Sequence, residues 1–309
     1  MHPRSRIQIL AGVVAVGVVL GLGACGASPA DERDTGKGAV ITIGAQGSLE
    51  NRILAQIYGQ VLADHGYAVD YNEGVGGRDA FIAALQAGSV DLIADTSGDL
   101  LYSADDSAFA RSRLDIDDAL PDAVKSMGLH VLDVAPADNA VAFVVTQNLA
   151  SQRQVASIGE LNYFADEITI GVGPGFADER SGPAGLLAFY GLVGFDTREI
   201  ADIGGAATVG SLLTNSLQVA VIPSTSPAIV RNNLRVLADP KALITAQNIV
   251  PLVNDTANTA DVQAIVNPVS DEITTAELQN LNAQATASAT PSPESVARDW
   301  LTAKKLIRD

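Results

Sequence analysis

Residues 74–98, GVGGRDAFIAALQAGSVDLIADTSG, and residues 204–225, GGAATVGSLLTNSLQVAVIPST, carry the same order of features. Each has a Gly-Gly pair, Gly76-Gly77 in one and Gly204-Gly205 in the other, and continues as a short helical pattern. Each then runs into an aliphatic stretch, Val90–Ala94 in one and Val219–Ile222 in the other, and ends on small polar side chains, Asp95-Thr96-Ser97 and Ser224-Thr225. A helical pattern feeding a β-rich run, flanked by further helices, is the grammar of an α/β fold. Two such units predict two similar α/β lobes. Ligands of open α/β sheets lie beyond the carboxyl ends of the strands, so two polar strand-end loops facing each other predict a binding cleft between the lobes.

Working outward, Val40–Ile43 reads as a strand, and Leu49, Ile53, Ile57 and Val61 fall four apart on one helical stripe. Ser48 suits the N-cap of that helix and Gly66 its stop. A strand is predicted at Tyr67–Tyr71, followed by a helix capped by Asp79 and stopped by Gly88. Two extended segments, Asn139–Thr146 (NAVAFVVT) and Asn248–Val253 (NIVPLV), would carry the chain out of the first lobe and back. Helical patterns follow at Val262–Val269 and Thr275–Ala285. A last helix holds Trp300, with Pro293 placed for its first turn. The predicted architecture is α/β, with two lobes and two hinge crossovers. Lobe I is discontinuous, residues 39–138 and 250–309, and lobe II is residues 139–249.

The N-terminus reads as an address. Arg4 and Arg6 precede an apolar run from Ile7 to Leu22, closed by Leu22-Gly23-Ala24-Cys25. Such a pattern predicts a secretory signal over residues 1–24, and its end resembles a bacterial lipobox, which implies cleavage before Cys25 and lipid on its sulfur. A plain signal peptide or an uncleaved anchor helix is the alternative, although the run is short for a span of about 20 residues. Residues 25–38, rich in Ala, Ser, Pro, Gly and charge, read as a flexible tether. The expected place is the extracytoplasmic face of a membrane.

Composition narrows the function. The chain has 309 residues, 47% hydrophobic, with 19 Lys+Arg against 36 Asp+Glu and a formal net charge of −17. Nucleic-acid binding needs clustered cations, and no basic run is present. One Cys excludes an internal disulfide or a thiolate metal site, and three His leave too few ligands for most histidine sites. No metal and no cofactor are expected. GxGxxG, GxxxxGK[ST] and GxSxG are all absent, so neither nucleotide binding nor a hydrolase elbow is indicated. The chain is not expected to be an enzyme.

The ordered set ITIGAQGSLEN at 41–51, residues 74–98, GFADERSGPAGLLAFYGL at 175–192 and VAVIPSTSPAI at 219–229 resembles the substrate-binding proteins of ABC importers for glycine betaine, choline and related osmoprotectants. The resemblance implies a two-lobed type II periplasmic-binding-protein fold. It also implies a small-molecule solute, a membrane permease with a separate cytoplasmic ATPase, and action as a monomer. Members of that family usually hold a trimethylammonium head in an aromatic cage by cation–π attraction. This chain departs from that pattern. Ser48 stands where a Phe is usual, Ile93-Ala94-Asp95-Thr96 where Tyr-Pro-Glu-Tyr is usual, and Pro223 where a ring precedes Ser-Thr. Glu179 takes the place of a ligand-carboxylate Arg, with Arg180 next to it.

The candidate ligand residues are Gln46, Ser48, Arg78, Asp95, Thr96, Phe176, Glu179, Arg180, Ser224 and Thr225. Each has a structural alternative. Ser48 would simply cap its helix, and Arg78 would sit in solvent. Asp95, Thr96, Ser224 and Thr225 would cap local backbone. Asp178, Glu179 and Arg180 would form an internal ion pair, and Phe176 would pack within its own lobe instead of covering an apolar ligand face. Without rings, the expected solute is a neutral or weakly charged polyhydroxylated or phenolic molecule rather than a simple quaternary amine. The competing class is an envelope interaction protein or enzyme on the same scaffold, without transport.

Overall fold

A computed structural model describes residues 40–287 and 291–308. The expected signal segment, Cys25 and the expected tether lie outside the described residues. The chain runs β1 (Val40–Gly44), α1 (Leu49–Asp64), β2 (Ala68–Asn72), α2 (Arg78–Gln86), β3 (Leu92–Thr96), α3 (Ser97–Ala104), α4 (Arg113–Lys125), β4 (Leu129–Val131) and β5 (Val141–Thr146). It continues through α5 (Gln147–Arg153), β6 (Thr169–Val172), α6 (Pro183–Tyr190), β7 (Asp196–Glu199), α7 (Ala206–Leu213), β8 (Val219–Pro223), α8 (Pro227–Arg231) and β9 (Leu234–Val236). Last come β10 (Ile249–Asn254), α9 (Ala260–Glu272), α10 (Thr275–Ala285) and α11 (Pro293–Ala303).

Two five-stranded mixed sheets result, ordered β2-β1-β3-β10-β4 and β7-β6-β8-β5-β9. In each, three parallel strands are followed by two antiparallel pairings. The sheets are the same pattern written twice. The strand leaving the first half, β5, enters the second sheet at the place that β10, on its return, occupies in the first. Corresponding residues make corresponding bonds. Thr42 N–H donates to Asp91 Oδ2 at 2.9 Å, and Thr169 N–H donates to Gln218 Oε1 at 2.8 Å. Gly44 and Gly171 are matched as well. A Cβ on Gly44 would lie 2.9 Å from Val90 Cγ1, and one on Gly171 would collide with Leu217. Both strands therefore use glycine where the turn before the next strand folds over them.

The central strands are buried on both faces, which is why they read as unbroken aliphatic runs. Ile249 and Val253 of β10 meet α1, α9, α10 and α11, while Val250 and Leu252 face α2, α3 and α4. Phe143 and Val145 of β5 look to one side of the second sheet, Ala142 and Val144 to the other. Ser48 Oγ accepts from Asn51 N–H at 3.1 Å and so caps α1. The expected Asp79 cap does not occur. Helix α2 begins at Arg78 after Gly77 with no side-chain cap, and Asp79 lies within its first turn, where a negative charge suits the helix dipole. The C-terminal helix α11 packs along α1, and Trp300 Nε1–H donates to Glu277 Oε2 at 2.9 Å.

Candidate solute cleft between the lobes

The chain passes between the sheets beside Asp138 and returns beside Asn248, and these two residues form an isolated antiparallel bridge. Asp138 Oδ1 accepts from the N–H groups of Ala140 and Gln247, each at 2.9 Å. Buried Asn248 spreads its Nδ2 over the carbonyls of Ala135, Pro136 and Ala137 at 3.0, 3.3 and 3.2 Å. The crossovers are thus bound to each other before any ligand is considered.

Next to them lies a closed polar ring. Asn139 Nδ2 donates to Glu50 Oε1 at 2.7 Å, and Asn282 Nδ2 donates to Glu50 Oε2 at 2.5 Å. Thr225 closes it, its Oγ1–H donating to Asn139 Oδ1 at 2.8 Å and its carbonyl accepting from Asn282 at 3.1 Å. Burial pushes the Glu50 carboxyl above the usual carboxylate range, and hydrogen bonds with Asn282 and Thr225 offset part of that rise. The ring joins α1 and α10, which flank the first sheet, to the first crossover and the loop after β8. Ser224 is drawn in too. Its Oγ–H donates to the Asp138 carbonyl at 2.5 Å, and its own carbonyl accepts from Gln279 Nε2 at 2.7 Å.

Beyond this joint are two cavities. One, of about 370 Å³, is lined by Asp99 on the first lobe, Glu179, Arg180 and Ser181 on the second, and Asn139 and Gln247 of the crossovers. The other, of about 430 Å³, shares Ala140, Val141 and Ile244 with it. Asp99 and Gln247 grip each other across the smaller cavity's wall. Gln247 Nε2–H donates to Asp99 Oδ1 at 2.6 Å, and Asp99 N–H donates to Gln247 Oε1 at 3.0 Å.

The expected ligand residues fall into three groups. Glu179 and Arg180 line the smaller cavity and Ser224 the larger. Glu179 accepts from Ser181 Oγ–H at 3.3 Å, and the Arg180 guanidinium has no hydrogen bond or ion pair among the described residues, so no internal pair forms there. Arg78, Asp95 and Thr96 are committed to one another. Arg78 holds Asp95 through two parallel bonds of 2.9 and 2.8 Å, reaches Thr96 Oγ1 at 3.3 Å, and stands 3.8 Å from Asp99. Burial works against the Arg78 charge, but Asp95, Asp99 and Asp79 outweigh it and hold its pKa above the ordinary value. Asp95 therefore faces its own lobe's cation, not an open cleft.

Gln46 and Ser48 border neither cavity. Thr225 is spent in the ring. Phe176 corrects the expectation of an apolar ligand cover. It is 2% exposed and packs edge to face on Phe143, centroids 6.4 Å apart, inside the second lobe's core. Asp99, Asn139 and Gln247 were not anticipated. The one available signal was that both extended segments begin at a polar residue, Asn139 and Asn248. Among the described residues no cluster of His, Cys, Asp and Glu could hold a metal ion, and no helix is long and apolar enough to cross a membrane.

Two mixed sheets of identical order, joined by paired crossovers with cavities between them, define a type II periplasmic-binding-protein fold. Residues 39–303 match the family described as the substrate binding domain of ABC-type glycine betaine transport system, and the chain belongs to that family. A solved glycine betaine/carnitine/choline ABC transporter structure is 21% identical, with a TM-score of 0.79 over 86% of this chain and 99% of that one. Apo YehZ from Escherichia coli is 20% identical, with a TM-score of 0.76 and coverage of 86% and 99%. Lactococcal OpuAC, closed on glycine betaine, is 17% identical, with a TM-score of 0.52 and coverage of 86% and 96%. No curated protein matches the chain in sequence.

Proposed function

We propose that this chain is a lipid-anchored, extracytoplasmic solute receptor for an ABC importer. It acts as a monomer and delivers its solute to a membrane permease driven by a separate ATPase. The solute enters between the lobes and is a polyhydroxylated molecule, neutral or weakly charged, rather than a simple quaternary amine. One observation carries this reading. The smaller cavity is lined by Asp99, Asn139, Glu179, Arg180, Ser181 and Gln247 among aliphatic neighbours, without an aromatic ring. A cation–π contact contributes about 2 kcal/mol when desolvated, and a cage stacks several, so a ringless wall forfeits orders of magnitude in Kd. Amide, hydroxyl and charged groups of both signs are suited to hydroxyls and carbonyls. The burial of Phe176 removes the stacking surface a phenolic solute would use, which narrows the expectation to polyols and related sugars.

Titration calorimetry with glycine betaine, choline, proline betaine, carnitine and a polyol panel tests it. Tighter binding of a polyol is the expected result. Micromolar glycine betaine binding that is lost on changing Arg180 or Gln247 would overturn the solute class. For the anchor, Cys25→Ala should release the protein into the soluble fraction or leave an unprocessed precursor. Unchanged membrane retention with normal processing would refute it.

A further inference from the structure

The larger cavity holds four charged side chains, and they differ in what they already bind. Its first-lobe wall is Arg111, Ser112 and Arg113, and its second-lobe wall includes Phe143, Ser224 and Asp239. Both Asp239 oxygens are occupied. Oδ1 accepts from the Tyr190 hydroxyl and the Leu243 N–H, and Oδ2 from the Ile244 N–H. Asp138 Oδ1 accepts the two crossover N–H groups described above. Arg113 donates to Asp117 at 3.2 Å and to the Val134 carbonyl at 3.3 Å.

Arg111 stands apart. Its guanidinium carbon lies 4.8 Å from the centroid of the Phe189 ring. The group has no hydrogen bond or ion pair among the described residues. Its backbone is fixed, since the Arg111 carbonyl accepts from Ala246 N–H at 2.9 Å. An Arg stacked on an aromatic face keeps its planar fork of donors free, and that fork matches a carboxylate in a bidentate, charge-assisted pair.

We propose that Arg111 is the anchor of an anion subsite in the cleft. It takes the carboxylate of a small hydroxy acid, whose hydroxylated part extends past Ala140 and Ile244 into the smaller cavity. This deepens the reading given under Proposed function and rests on the cleft being the solute site. The net charge of −17 opposes anion entry from a distance, but salt screens that field over about 8 Å, whereas the bidentate contact acts inside it. Arg111 belongs to the first lobe and Phe189 to the second, so a solute held by this side chain touches the junction of both.

Calorimetry on the protein and on Arg111→Gln, Arg111→Lys and Arg298→Gln tests the proposal, with D-gluconate, L-lactate and sorbitol as probes at matched chloride. The expected result is that gluconate binds at least about tenfold more tightly than sorbitol. Arg111→Gln should erase that difference, Arg111→Lys should restore part of it, and Arg298→Gln, an exposed arginine of α11 outside both cavities, should leave the carboxylate preference in place. No carboxylate preference in the unmodified protein, or one that survives Arg111→Gln, would overturn the subsite. The sorbitol arm reads the wider proposal separately. Sorbitol binding without a carboxylate preference refutes Arg111 alone. Lactate binding lost in Arg111→Gln, with gluconate and sorbitol both inactive, supports the anion subsite and refutes the polyhydroxylated solute.

Discussion

Asn139, on the first crossover, donates its side-chain N–H to the buried carboxylate of Glu50 at 2.7 Å. The contact fastens the crossover to α1 through an acid that forms no ion pair among the described residues. Thr225 and Asn282 complete the arrangement, so the loop after β8, on the second lobe, is docked on helices of the first. This corner ties the two lobes together beside the cavities.

The joint should be sensitive to pH. The folded-state pKa of Glu50 is raised above 4.5, chiefly by burial. The folded protein therefore holds this proton more tightly than the unfolded chain. The stabilisation is complete below the unfolded pKa and is lost as pH rises through the folded one. Relative to Glu50→Gln, the wild type should lose stability across the window that begins near 4.5 and extends upward. Urea unfolding of both proteins at a series of pH values checks this. A wild type that gains on the Gln variant over that window would contradict it.

Arg78 should be structural. Its partner Asp95 has a side chain only 2% exposed, while Arg78 is 25% exposed. Removing one member of a buried pair costs about 3–5 kcal/mol, and partial solvation of Arg78 places Arg78→Met at the lower end. The double variant Arg78→Met/Asp95→Asn should recover much of the loss, because no buried charge is stranded. Denaturant midpoints of the three proteins decide it.

Gln247 should govern the cleft wall locally. Gln247→Ala removes two hydrogen bonds to Asp99, at about 1–3 kcal/mol together, one of them to a charged acceptor. Amide exchange at Asp99 should accelerate, with the amides of β3 unchanged. Uniform acceleration over the whole first sheet would mean that the contact supports the fold and not the wall.

Phe176 should matter for stability and not for solute. Phe176→Ala opens a cavity beside Phe143 and should cost about 3–5 kcal/mol, whereas Phe176→Leu should cost less and leave the Kd for the solute unchanged. A large change in Kd with little change in melting temperature would return this side chain to the cleft.

Local pattern in the chain was enough to reveal β1, β2, β3, β5, β8 and β10 and the helices α1, α2, α7, α9, α10 and α11, but not the short elements between them, such as α3, α5, β6, β7 and β9. The apolar stripe Leu49–Val61, the Ser48 cap and the aliphatic runs at Val90–Ala94 and Val219–Ile222 are encoded over a few residues, by periods of 3.6 and by burial on both sheet faces. The doubled segment announced two equivalent units for the same reason. Tertiary structure alone decided which polar groups are free. Asp95 lost its expected role to Arg78, 17 positions away. Thr225 lost its role to Asn139, 86 positions away, and through it to Glu50 and Asn282, themselves 232 apart. Phe176 was withdrawn into a core by Phe143. A polar or aromatic side chain is satisfied by whatever the fold brings within about 3 Å for a hydrogen bond, or 4.5–7 Å between rings. No local period records that neighbour. Composition and periodicity therefore determined the architecture, while the three-dimensional pairing left the Arg111 and Arg180 guanidinium groups of the cleft without a hydrogen bond or ion pair among the described residues.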